Sequence, residues 1–152
     1  MVAHAKKPTR AKPAASFWLD QLKEAHRDLL NAIHQLAVLT AGPLPDKAEL
    51  TDIRWRVSQA SLARRLLWGR ILALLARRVD PSAERDLRRL QDVDARLIRA
   101  SAAHVGKWTA NTIIEDWPGY CQASELMRRK MIDAMAEEKR LLYPILHTFN
   151  RD

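Results

Sequence analysis

Apolar residues recur at three- and four-residue spacing along most of the chain, the signature of amphipathic helices. The pattern predicts four of them: Phe17 to Thr40, Lys47 to Val79, Ser82 to Ile114, and Tyr120 to His147. Three turn-forming stretches divide them: Ala41-Gly42-Pro43-Leu44-Pro45, Asp80-Pro81-Ser82, and Glu115-Asp116-Trp117-Pro118-Gly119. The first predicted helix carries its stripe on Leu22, Ala25, Leu29, Ile33 and Leu36. The second carries Ile53, Val57, Ala60, Ala63, Leu67, Ile71 and Leu74, and the third Leu87, Leu90, Val93, Leu97 and Val105. The fourth carries Met127, Met131, Ala134, Leu141 and Ile145, with Pro144 marking a break in a packed helix. Ser82, followed by Glu84 and Asp86, reads as the cap of the third helix. Long helices joined by short connections favour an all-α fold, an antiparallel up-down-up-down four-helix bundle.

Three polar residues interrupt these stripes. His26 lies between Leu22 and Leu29, Asp94 between Leu90 and Leu97, and Glu138 between Ala134 and Leu142. Burying such groups is costly unless they pair or bind a metal, and bundles build metal sites from inward side chains on facing helices. His26 and Asp94 share the same spacing to flanking leucines, a faint internal repeat. If the two halves repeat in step, Arg70 takes the place that corresponds to Glu138.

The segments Glu24-Ala25-His26-Arg27-Asp28-Leu29 and Glu137-Glu138-Lys139-Arg140-Leu141-Leu142-Tyr143-Pro144-Ile145-Leu146 resemble the first and last helices of hemerythrin-like (HHE cation-binding) domains. The resemblance covers about Ser16 to Leu146 and implies a four-helix bundle over residues 17–152, while residues 1–16, rich in Ala, Lys and Pro and without an acid, read as a flexible basic tail. It also implies a metal site with His26, Asp94 and Glu138 as ligands, iron being the family's metal. The chain departs from the family's pattern at decisive positions. Ala134 stands where a histidine should precede Glu138, Asp94 stands where another histidine is expected, and the second helix has no histidine. The family's full di-iron set is therefore absent, and an arginine beside the cavity would repel a dication. The reading that follows is a buried cluster of His26, Arg70, Asp94 and Glu138 in place of the metal, with no cofactor.

Composition narrows the remaining classes. The chain has 152 residues, one domain's worth, and only 4 glycines, with no Gly-rich phosphate loop. Its single cysteine, Cys121, excludes an intrachain disulfide or thiolate zinc site, which fits a reducing compartment, and a place near a helix start would lower its pKa. The tail has no apolar core of a secretory signal, and no apolar run is long enough to span a bilayer, so the expectation is a cytoplasmic protein without a membrane role. The net charge is +8, much of it arginine. Arg85, Arg88, Arg89, Arg96 and Arg99 fall on one face of the third helix, either a solvated face or a phosphate-binding surface. His104 and Trp108 form a further candidate ligand site, and the 5 tryptophans either pack the core or line a cavity. His4, His34 and His147 have no partner at chelating spacing.

No nucleophile, base and orienting group come together in the sequence, so the reading is non-enzymatic. It is a degenerate hemerythrin-like bundle that senses or regulates by binding a small ligand or a protein partner. Two alternatives stay open: an iron- or oxygen-binding protein, and a basic helical binder of nucleic acid or acidic partners. The oligomeric state is open.

Overall fold

The computed structural model describes residues 15–149 apart from Arg77. The predicted tail lies outside them up to residue 14, with His4, while Ala15 and Ser16 already begin the first helix. The described residues are all helical, without a strand: α1 (Ala15–Thr40), α2 (Lys47–Leu75), α3 (Pro81–Lys107), α4 (Ala110–Glu115) and α5 (Trp117–Phe149). No described helix is long and apolar enough to cross a membrane.

Helix ends differ from the sequence reading where a cap or a core contact intervenes. α2 stops at Leu75, short of Val79. Asp80, rather than Ser82, caps α3: its backbone is extended and its carboxylate accepts the Ala83 N–H at 2.8 Å, with Pro81 in the first turn. The chain must leave α2 early enough to reach that extended conformation. The predicted third helix is two helices. Trp108 leaves helical geometry (φ −99°, ψ 74°) and Thr109 caps α4. On an unbroken helix Trp108 would sit one turn from Val105, which is 55% exposed; the break carries the indole into the core, where it is 6% exposed.

α5 starts inside the predicted turn. Asp116 accepts the Gly119 N–H at 2.9 Å, and its carboxylate fills the space a Cβ on Gly119 would need. Pro118 falls in the first turn, where its missing N–H costs nothing. At the other end, Pro144 does not break the helix, which continues to Phe149. Pro144 and Arg140 are both exposed, so water can take the Arg140 carbonyl that loses its donor. Leu142 and Leu146, both 0% exposed, hold the same helix on the core from its opposite side.

The predicted stripes hold at Val57 and Ile71 on α2 and at Met127, Met131 and Ala134 on α5, and shift by about one residue elsewhere. α2 buries Leu50, Val57, Arg64, Trp68, Ile71 and Leu75, leaving Ala63 exposed. α5 buries Leu142 and Leu146 in preference to Leu141 and Ile145. α1 packs on both α2 and α5, and α3 packs on α5, whereas the α2 and α3 backbones do not approach closely along their lengths.

The core falls into two apolar clusters. One contains Leu29, Ile33, Val57, Leu97, Trp108, Tyr120 and Met131. The other contains Leu22, Trp68, Ile71, Leu87, Leu90, Leu142 and Leu146. Along each long helix, one polar residue stands between members of the two clusters: His26 on α1, Arg64 on α2, Asp94 on α3 and Glu138 on α5.

Candidate functional site

These four residues form one hydrogen-bonded layer across the core. Glu138, 4% exposed, receives two donors. His26 Nε2 lies 2.5 Å from Glu138 Oε2, and the Arg64 guanidinium donates through Nη1 to Glu138 Oε1. The same guanidinium donates through Nη2 to Asp94 Oδ1 at 2.9 Å. The other ring nitrogen of His26, Nδ1, lies 2.5 Å from the Tyr143 hydroxyl, and the two rings stack 5.6 Å apart. A neutral ring satisfies both contacts, with Nε2–H donating to Glu138 and Tyr143 O–H donating to Nδ1. Burial and the Glu138 charge push the Tyr143 phenol up to about 12, so it keeps the proton it donates.

Three of the four predicted members of this cluster are therefore brought together, and the fourth is corrected. Arg70 is exposed and takes no part; Arg64 supplies the guanidinium and is 1% exposed. Arg64 lies seven residues from both Val57 and Ile71, so it belongs to their face of the helix, whereas Arg70 is turned away from it. Tyr143 was missed as a member. Its signal lay in the last-helix motif itself, five residues beyond Glu138 and so within about a turn and a half of it.

The arrangement does not fit a metal ion. A guanidinium, which is permanently charged and has no acceptor, sits between Glu138 and Asp94 and uses both carboxylates. His26 is engaged at both ring nitrogens. Among the described residues no group of three or more His, Cys, Asp or Glu side chains is placed to hold a metal.

A cleft of about 320 Å³ opens next to this layer, between α2, α3 and α5. Its apolar wall includes Val57, Leu97, Met127 and Met131, and its polar wall Arg54, Arg64, Arg65, Arg128, His104 and several serines. His104 thus faces the cleft, half-buried, with its pKa lowered by burial and by the nearby Arg54 charge. Trp108 does not share that cleft. It packs edge-on against Tyr120 at 5.7 Å, and Tyr120 in turn stacks on His104 at 6.0 Å, so the two candidate residues are separated by a phenol ring.

The remaining candidates resolve as follows. Arg85, Arg88, Arg89, Arg96 and Arg99 are all exposed; Arg88 bridges Glu84 at 2.7 Å and Arg89 bridges Glu137 at 3.4 Å. Cys121 has its pKa raised by burial, against the opposing influence of Arg128, so its place near the start of α5 does not activate it. Among the tryptophans, Trp68 and Trp108 are core, while Trp55 is 61% exposed.

Comparison with protein-family models, with curated proteins and with solved structures found no match to this chain.

Proposed function

We propose that this chain is an antiparallel four-helix bundle of the hemerythrin-like kind in which an ion-paired layer has taken the place of the metal. It acts without catalysis, in sensing or regulation, by binding a small ligand or a partner. The observation that supports this reading is the Arg64 guanidinium, hydrogen-bonded to Glu138 and Asp94 at the level where the resemblance expects a cation. One guanidinium between two carboxylates satisfies charges that a dication would otherwise balance, and His26 and Tyr143 extend the hydrogen bonding from Glu138. The adjoining cleft supplies the place for a ligand, which a fully packed core would lack.

The test is metal content per chain and the visible absorption spectrum of untagged protein purified without chelator. The expected result is colourless, folded protein with substoichiometric metal. Stoichiometric iron, or oxo-bridge or haem absorption, would overturn the reading and return His26 and Glu138 to the role of ligands.

A further inference from the structure

The cleft between α2, α3 and α5 carries more positive charge than its surroundings balance. Arg54, Arg65 and Arg128 all line it, no aspartate or glutamate does, and none of the three makes an ion pair among the described residues. Elsewhere on the surface the arginines are mixed: Arg70, Arg85, Arg96 and Arg99 also lack an ion pair among the described residues, while others are bridged. Arg56, Arg88, Arg129 and Arg140 each bridge a carboxylate three or four residues away. Glu125, whose charge acts on Arg128, is bridged to Arg129 at 2.7 Å.

Two of the three guanidiniums, those of Arg54 and Arg128, are held in place by contacts that leave their charge uncompensated. Arg54 donates to the Trp108 carbonyl at 2.7 Å and lies over the Tyr120 ring at 5.6 Å. Arg128 donates to the Thr40 hydroxyl at 2.8 Å. The Nε–H groups of Arg65 and of the 1%-exposed Arg64 are buried with no acceptor in the protein. Ser124, also 1% exposed, lies beside the Tyr120 phenol without a directed hydrogen bond. Buried donors without acceptors are uncommon in folded proteins, because each forfeits its solvation. Burial lowers the Arg128 pKa, outweighing the opposing influence of the Glu125 charge.

We propose that this cleft binds a small organic oxyanion, a carboxylate or phosphate monoester carrying an apolar body. The head is taken by Arg54 and Arg128, whose charges both act on the Tyr120 phenol, and the body lies on Val57, Leu97 and Met131. Guanidiniums match the planar, two-oxygen geometry of such heads. A volume of about 320 Å³ admits one short amphipathic molecule and is too small for a dinucleotide or a two-chain lipid. This inference rests on the small-ligand part of the reading above and names the ligand's class.

Calorimetric titration tests it, with sodium octanoate and octyl phosphate as probes, and with octan-1-ol and inorganic phosphate as single-feature controls. At least one amphipathic anion is expected to bind one site per chain at about 1 mM or below. Arg128→Gln is expected to weaken it roughly tenfold or more, as for loss of a charged hydrogen bond. Arg99→Gln, on the outer face of α3, leaves it unchanged. Ala102→Trp, at the exposed rim, blocks the cleft without altering charge, and circular dichroism verifies that each variant is folded. Absence of saturable binding by both amphipathic anions to folded, metal-free protein overturns the proposal and leaves the metal-independent reading standing. Equal binding of octan-1-ol or of inorganic phosphate also overturns it. Stoichiometric iron in the same preparation counts against the metal-independent reading alone.

Discussion

At the scale of single residues, Glu138 is the junction of the buried layer. It accepts from both Arg64 and His26, so its removal leaves a guanidinium buried beside a single carboxylate, Asp94. Glu138→Ala is expected to cost about 3–5 kcal/mol, the usual loss when one partner of a buried ion pair is deleted, measured by urea unfolding. Arg70→Ala, at the exposed arginine, should stay within about 0.5 kcal/mol of the parent. An equal loss in both would place the buried cation at the wrong residue. Tyr143 gives an independent readout. The chain has 2 tyrosines, both raised by burial, Tyr143 to about 12. Spectrophotometric titration should show neither phenol ionising at the ordinary value of about 10. A phenol that holds its proton more tightly when folded stabilises the fold fully below the unfolded value. That contribution is lost as pH rises from about 10 to about 12. Tyr143→Phe should flatten the corresponding part of the stability curve.

At the scale of elements, capping and tertiary burial set where helices end. Asp80 with Pro81, Thr109, and Asp116 with Gly119 each supply a start that overrides the hydrophobic periodicity running past it. Trp108 shows the same competition from the core side, since α3 stops at Lys107, two residues after Val105, so that the indole can be buried. Pro144 shows the reverse, a strong breaker retained in a helix because its face is exposed and its neighbours Leu142 and Leu146 are anchored. Pro144→Ala restores a donor to the Arg140 carbonyl and removes the ring clash. It should raise stability by about 1 kcal/mol or more in thermal unfolding, after allowing for the entropy the proline withheld from the unfolded chain. A loss of stability would mean that the helix depends on the proline for its direction.

At the scale of the whole molecule, the polar layer divides the core into two apolar clusters and links four helices through side chains alone. A single hydrogen-bonded layer of this kind penalises any register in which one of its members faces an apolar neighbour. Because the Arg64 guanidinium engages both carboxylates of the layer, dialysis against a chelator should leave the melting temperature unchanged; a marked fall would show that a bound ion holds the bundle together. The net charge of +8 bears on partners separately from the core. Of the five arginines proposed for the outer face of α3, two are already bridged to carboxylates, which weakens that face as a phosphate surface relative to the unbridged arginines of the cleft.

The amino-acid sequence by itself determined the helical class, the approximate spans of the long helices, and the inward placement of His26, Asp94 and Glu138. All of these follow from periodicity within one element. Only the tertiary structure decided that Arg64 and not Arg70 completes the layer, that Tyr143 closes it, that Trp108 ends α3, and that a cleft separates α2 from α3. The physical reason is angular. Successive residues turn about 100° around a helix, so an apolar stripe constrains a helix's rotation only to within about one residue. On α2 that residue is the difference between Ala63 and Arg64 facing inward. The choice is made by the carboxylates on α3 and α5, distant in sequence, that only Arg64 can reach.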